Sequence, residues 1–141
     1  MPAAANTAEE QWVAPMIGLI EGVRTYVARR RENLPSTTDA YLLDDRRAAL
    51  VRRSLFAAVQ CAVENAELWV VHADRGTSRQ YRNAFEALVA HDVLDAELAI
   101  RLADLARRFK AGIEPRALFE SARPACLDLS LLCAALRRQL P

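Results

Sequence analysis

Asp44-Asp45-Arg46-Arg47 and the residues that follow, through Glu64-Asn65-Ala66-Glu67-Leu68-Trp69-Val70-Val71-His72-Ala73-Asp74, contain no Gly and no Pro. Within them Val51, Leu55, Ala58, Val59, Ala62, Ala66, Trp69 and Ala73 recur at helical spacing, which lays an apolar stripe along one side of a single long helix. Asp44 or Asp45 offers a short acceptor side chain to the orphan N–H groups of its first turn. Gly76 stands where a left-handed residue would end it. About thirty residues at about 1.5 Å each span about 45 Å, more than one short neighbour can cover. Several further helices, or a second copy of the chain, must share the task, and a homodimer is therefore expected.

Composition agrees with a helical chain. Of 141 residues 52% are hydrophobic, enough for the core of one domain, while Gly numbers only four and aromatic residues make up 6%. No stretch has the alternation of a strand. The predicted fold is all-α, an up-and-down helical bundle of four to five main helices around the long central one. Residues 1–14 are expected to form a partly ordered N-terminal extension, and residues 15–141 a single domain. Nineteen basic against eighteen acidic side chains leave a net charge of +1, so the field as a whole does not demand a nucleic acid or an acidic membrane, and local patches remain open. The start of the chain lacks the basic and apolar regions of a signal peptide, and no uncharged run approaches the ~20 residues of a membrane span. A cytoplasmic location with no membrane partner is expected. Cys61, Cys126 and Cys133 are an odd number without metal-type spacing, far in sequence from His72 and His91, and read as reduced core thiols. No metal and no cofactor is expected.

Outward from the long helix, Thr7-Ala8-Glu9-Glu10 has the form of a capping box, but Pro15 should interrupt any helix continuing from it. The first main helix is placed from Pro15 to Asn33, with Met16, Leu19, Ile20, Val23 and Val27 on its apolar side. Arg29-Arg30-Arg31 in its last turns suit the negative end of the helix dipole. Ser36-Thr37-Thr38-Asp39 supplies caps for a short helix through Leu43. Thr77 or Ser78 should start a further helix through Tyr81, Phe85 and Val89 that ends near His91-Asp92. Asp95 opens another, stopped by Gly112, with Arg107, Arg108 and Lys110 at its end. Pro115 sits at the first position of the last helix, and Pro124 should kink it.

Four stretches in this order, Val59-Gln60-Cys61-Ala62-Val63-Glu64, Tyr81-Arg82-Asn83-Ala84-Phe85-Glu86-Ala87-Leu88, Asp92-Val93-Leu94 and Ile113-Glu114-Pro115, resemble the HepT-like branch of the HEPN superfamily, from about Val23 to the C-terminus. The resemblance implies a dimerising helical bundle, commonly encoded beside a minimal nucleotidyltransferase in a toxin-antitoxin pair. Active members cleave RNA with an Arg, four to six residues and a His, placed before the last helix. Here Leu105-Ala106-Arg107-Arg108-Phe109-Lys110 passes to Ala111-Gly112-Ile113-Glu114-Pro115 with no His, so the ribonuclease motif is missing. Neither His91 nor His72 has an Arg at the required distance, and Arg82-Asn83 matches the start of the motif in the wrong helix. Cleavage through a 2′-hydroxyl wants a group that titrates near neutrality and a cation for the developing charge. Arg107, Arg108 and Lys110 can supply only the second.

No catalytic residue is therefore assigned. The candidate binding residues are Glu64 and Glu67, which with Gln60 form a polar stripe facing either a dimer cleft or solvent, and Arg107, Arg108 and Lys110, which either touch phosphate or simply neutralise a helix end. The function expected is that of a catalytically degenerate HEPN-like protein acting through homodimerisation and a nucleotidyltransferase-type partner. The alternatives are a ribonuclease toxin with an unrecognised site and a helical regulator that binds RNA weakly without cutting it.

Overall fold

A computed structural model describes residues 11–74 and 81–141 of the chain. Its elements are α1 (Val13–Asn33), α2 (Thr38–Leu43), α3 (Asp45–Ala73), α4 (Ala84–Ala90), α5 (Ala96–Ala111) and α6 (Pro115–Arg137), with no strand among the described residues. The Thr7-Ala8-Glu9-Glu10 box, Gly76, Thr77 and Ser78 lie outside the described residues.

Contacts between helices set their directions. Trp12 stacks on His72 with ring centroids 4.1 Å apart, and Gly22 faces Cys61, so α1 and α3 run antiparallel. A Cβ at Gly22 would stand 3.3 Å from Cys61 Sγ, so the missing side chain lets the two long helices approach. Arg137 at the end of α6 donates to Glu21 of α1 at 2.9 Å, while Arg101 and Arg108 of α5 reach Asp128 and Ser121 of α6. Both α1 and α5 are thus antiparallel to α6. The four long helices α1, α3, α5 and α6 form an up-down-up-down bundle, and α2 and α4 are short links at its ends. Met16, Val51, Leu55, Leu102, Leu132 and Leu136 are almost completely excluded from solvent and form one core shared by all four, to which α4 adds Leu88.

Local chemistry explains the boundaries. Asp44 caps α3 by accepting from the Arg47 N–H, Thr37 caps α2 through Ala40, and Asp95 caps α5 through Leu98. Gly112 at φ 97° ends α5 in a conformation that L side chains avoid. At the end of α4 the Asp92 N–H bonds to Val89 O and the Val93 N–H to Leu88 O, with Asp92 at φ 59°; these are the paired bonds of a Schellman cap, closed by an Asp in place of the usual Gly.

Two expected boundaries are corrected. Pro15 does not open α1 but occupies its third position, where the missing N–H would have no intrahelical acceptor anyway. The helix expected through Tyr81 begins only at Ala84, because the Asn83 side chain accepts from the Glu86 N–H at 2.9 Å and caps it there. Pro124 lies inside α6, which continues past it as one element. Cys126 and Cys133 are buried, Cys61 half-buried, and all three are free thiols. No helix among the described residues is long and apolar enough to cross a membrane.

Candidate functional site

The five residues singled out from sequence divide into two groups that no hydrogen bond or ion pair joins. Glu64 and Glu67 are exposed on α3, and among the described residues neither makes an ion pair within the chain. On α5, Arg107 is held by Asp104 one turn earlier, and Arg108 donates to Ser121 Oγ at 3.1 Å, which in turn donates to Ala117 O. Lys110 is exposed in the last turn. Two of the three cations are therefore engaged in contacts that tie α5 to itself and to α6.

Neither imidazole is near them. Tyr41 packs on Phe119 with centroids 5.2 Å apart, so the starts of α3 and α6 share one end of the bundle, and Arg108 beside Ser121 belongs to that end. His72 and His91 occupy the opposite end. There His91 Nε2 donates to Asp74 Oδ1 at 2.7 Å, with its ring edge-on to Trp69 at 5.3 Å, while His72 is covered by Trp12. The Asp74–His91 contact fastens the cap of α4 to the end of α3. The backbone of His91 caps α4, and its side-chain partner lies 17 residues away, beyond the reach of local spacing. Asn65, one turn before Trp69, is 1% exposed, and neither polar atom of its amide has a hydrogen-bond partner. Arg82-Asn83 also finds its reason: Asn83 is the cap of α4, and Arg82 pairs with Glu86 one turn on.

The exposed side of α3 is more ordered in its pattern than the polar stripe read from sequence. Ala49, Arg53, Phe56, Gln60, Glu64, Glu67 and Val71 all face outward at steps of 4, 3, 4, 4, 3 and 4 residues. That is an eleven-residue period repeated twice, close enough to the helical repeat to stay on one face. Phe56 is 48% exposed and Val71 72%. The first half of the stripe carries a cation and the second half two carboxylates.

A second feature lies where the end of α1 meets the first half of α6. Arg30, Arg31, Arg123, Cys126, Leu127 and Ser130 line a pocket of about 320 Å³. Arg30 is 5% exposed, its Nε is buried without a hydrogen-bond partner, and none of the ion pairs among the described residues involves Arg30, Arg31 or Arg123. Burial pushes the Cys126 thiol up, while the Arg30 guanidinium beside it pulls in the opposite direction without overcoming it. The site therefore concentrates unpaired positive charge around a neutral thiol. Sequence reading assigned Arg29-Arg30-Arg31 to the helix dipole. The overlooked signal was periodicity, since Met16, Ile20, Val23, Val27 and Arg30 form the buried row of α1 and the last of them is charged.

No group of His, Cys, Asp and Glu among the described residues is arranged to hold a metal ion. No known protein family's model matches the chain, and no curated protein matches it.

Proposed function

We propose that the chain is a non-cleaving helical protein of the HEPN kind that acts by association, first with a second copy of itself. The observation that carries this is the outward stripe of α3. A two-fold axis passing near Gln60 and running a second α3 antiparallel to the first would set Arg53 against Glu67 of the second copy, Phe56 against the aliphatic stem of its Glu64, and Ala49 against its Val71. The surface is thus complementary to itself. Arg53, Glu64 and Glu67, which make no ion pair among the described residues, each gain a facing group in this arrangement. From Ala49 to Val71 the stripe extends about 33 Å, and flanking residues must add to it to reach the roughly 1,000 Å² that a specific interface needs.

The absence of cleavage follows from the separation of groups. Arg107 and Arg108 are engaged at one end of the bundle, and both imidazoles are packed against tryptophans at the other. A proton-transfer mechanism requires the two within reach of one phosphate. A minimal nucleotidyltransferase is the further partner that the resemblance brings to this reading, and a neighbouring open reading frame of that type would support it.

Light scattering at about 50 µM protein should give twice the chain mass of 15.7 kDa. Arg53→Glu should give the monomer, and Arg53→Glu with Glu67→Arg should restore the dimer, because the charges then face each other reversed. A monomeric parent removes the association. Metal-free protein incubated with mixed RNA should leave it intact; cleavage by the parent that Arg107→Ala/Arg108→Ala abolishes would establish the ribonuclease reading instead.

A further inference from the structure

We infer that the pocket between α1 and α6 is a binding site for a terminal phosphate group, a phosphate monoester, held by Arg30, Arg31 and Arg123. This goes beyond the association proposed above and uses no residue of α3.

Three observations converge on it. The pocket, at about 320 Å³, falls at the lower end of the roughly 300–1,000 Å³ typical of small-molecule sites. Its lining carries three guanidinium groups and no carboxylate, so like charges are gathered with nothing among the lining residues to offset them. Arg30 is 5% exposed with its Nε unpartnered, and the side chain hydrogen-bonded to its guanidinium, Cys126, is a thiol that burial keeps neutral, so the buried positive charge is offset only when an anion enters to meet it. The dipole at the end of α1 accounts for cations at Arg30 and Arg31. It accounts neither for the burial of Arg30 nor for Arg123, which sits in the body of α6.

The shape selects among anions. Arg30 can be reached only by a group that enters the pocket. A monoester presents three free oxygens on a narrow end and carries a charge of about −1.5 to −2 near neutral pH. A backbone phosphodiester carries one charge, and both of its ester substituents would have to leave by the same mouth. Arg31 and Arg123, exposed at the rim, can each offer a paired donor fork to the outer oxygens, while Ser130 adds a hydroxyl and Leu127 an apolar wall for the group bearing the phosphate. The same terminal phosphate occurs on a free nucleotide and on the end of an RNA chain.

Titration calorimetry with adenosine 5′-monophosphate, adenosine, and a short RNA bearing either a 5′-phosphate or a 5′-hydroxyl tests the site and separates the two sources. The phosphorylated member of at least one pair should bind saturably and its unphosphorylated twin should not. Binding by the nucleotide assigns a small ligand, and binding by the phosphorylated RNA alone assigns a chain end. Arg123→Gln and Arg31→Gln, both at exposed positions, should each weaken binding about ten- to a hundredfold. Arg30→Met should abolish binding while the chain keeps its helical circular dichroism. Binding should persist in Arg53→Glu, where the proposed dimer is broken, so the two proposals fail separately. No saturable binding by either phosphorylated probe, no difference between the phosphorylated and unphosphorylated members of either pair, or affinity indifferent to all three arginine variants would overturn the inference.

Discussion

Helix α6 has two polar seams, and they are built on opposite terms. Toward α5, the half-exposed Arg101 is held by both oxygens of the buried Asp128 at 3.1 and 3.2 Å, and Arg108 donates to Ser121. Toward α1, Arg30, Arg31 and Arg123 gather with no acid among the lining residues, and among the described residues the ion pair of this seam is the outermost contact, Arg137 to Glu21. The first seam is complete within the chain. The second is complete only at its far end, and the unpaired part coincides with the pocket. Arginines at the seams of one helix can thus serve the fold or, on the inference drawn above, await a ligand, and what separates the cases is whether the facing helix brings an acceptor.

The largest effect should come from beneath both seams. Leu132 is fully buried, and Leu132→Ala should destabilise the chain by about 2 to 5 kcal/mol in urea unfolding. A smaller loss than that caused by removing Asp128 would show that polar contacts, rather than the shared apolar layer, hold the seams together.

Next comes Cys133 on the α1 side, whose thiol burial pushes from 9.0 up to about 11. Its folded value lies above the unfolded one, so the stabilisation of the neutral thiol is whole below about pH 9 and is lost as pH rises toward 11. A displacement of that size corresponds to about 3 kcal/mol at full loss. The urea midpoint of the parent should fall more steeply across this range than that of Cys133→Ala; parallel curves would show the thiol open to solvent.

The two seams should also differ in sign. Asp128→Ala should lower the melting temperature, because it strips the partner from Arg101, whereas Arg30→Met should hold it level or raise stability by about 1 kcal/mol, because a buried unpaired cation gives way to an apolar side chain. A fall in both would mean that Arg30 is structural. The smallest change is expected at Arg137→Ala, no more than about 0.5 kcal/mol, since Arg137 and Glu21 are 51% and 55% exposed and water screens the pair.

Much of the architecture is legible in the sequence. The long helix, its Asp44 cap, the Gly112 stop, Pro115 at the start of α6 and the end of α4 near His91 all follow from residues within a turn or two of the feature they decide. The start of α4 differs from the sequence expectation because the Asn83 side chain caps the helix at Ala84, several residues past Thr77 and Ser78. Of the candidate site residues, Glu64 and Glu67 do face outward. Arg107 and Arg108 proved to be held by Asp104 and Ser121, the first a neighbour that spacing alone could have shown and the second on another helix.

Sequence by itself determined that this chain is helical, where most helices begin and end, and which side of each is apolar, because those properties depend on backbone geometry and neighbours three or four residues away. Only the tertiary structure decided which charges meet. Glu21 and Arg137 pair across 116 residues, and Asp128 and Arg101 across 27, while Arg30 arrives opposite Arg123 and a thiol. Periodicity says that a side chain points inward and is silent on what the facing helix presents. That is fixed by how the helices pack against one another, and it decides whether an arginine in this chain is paired or left to bind.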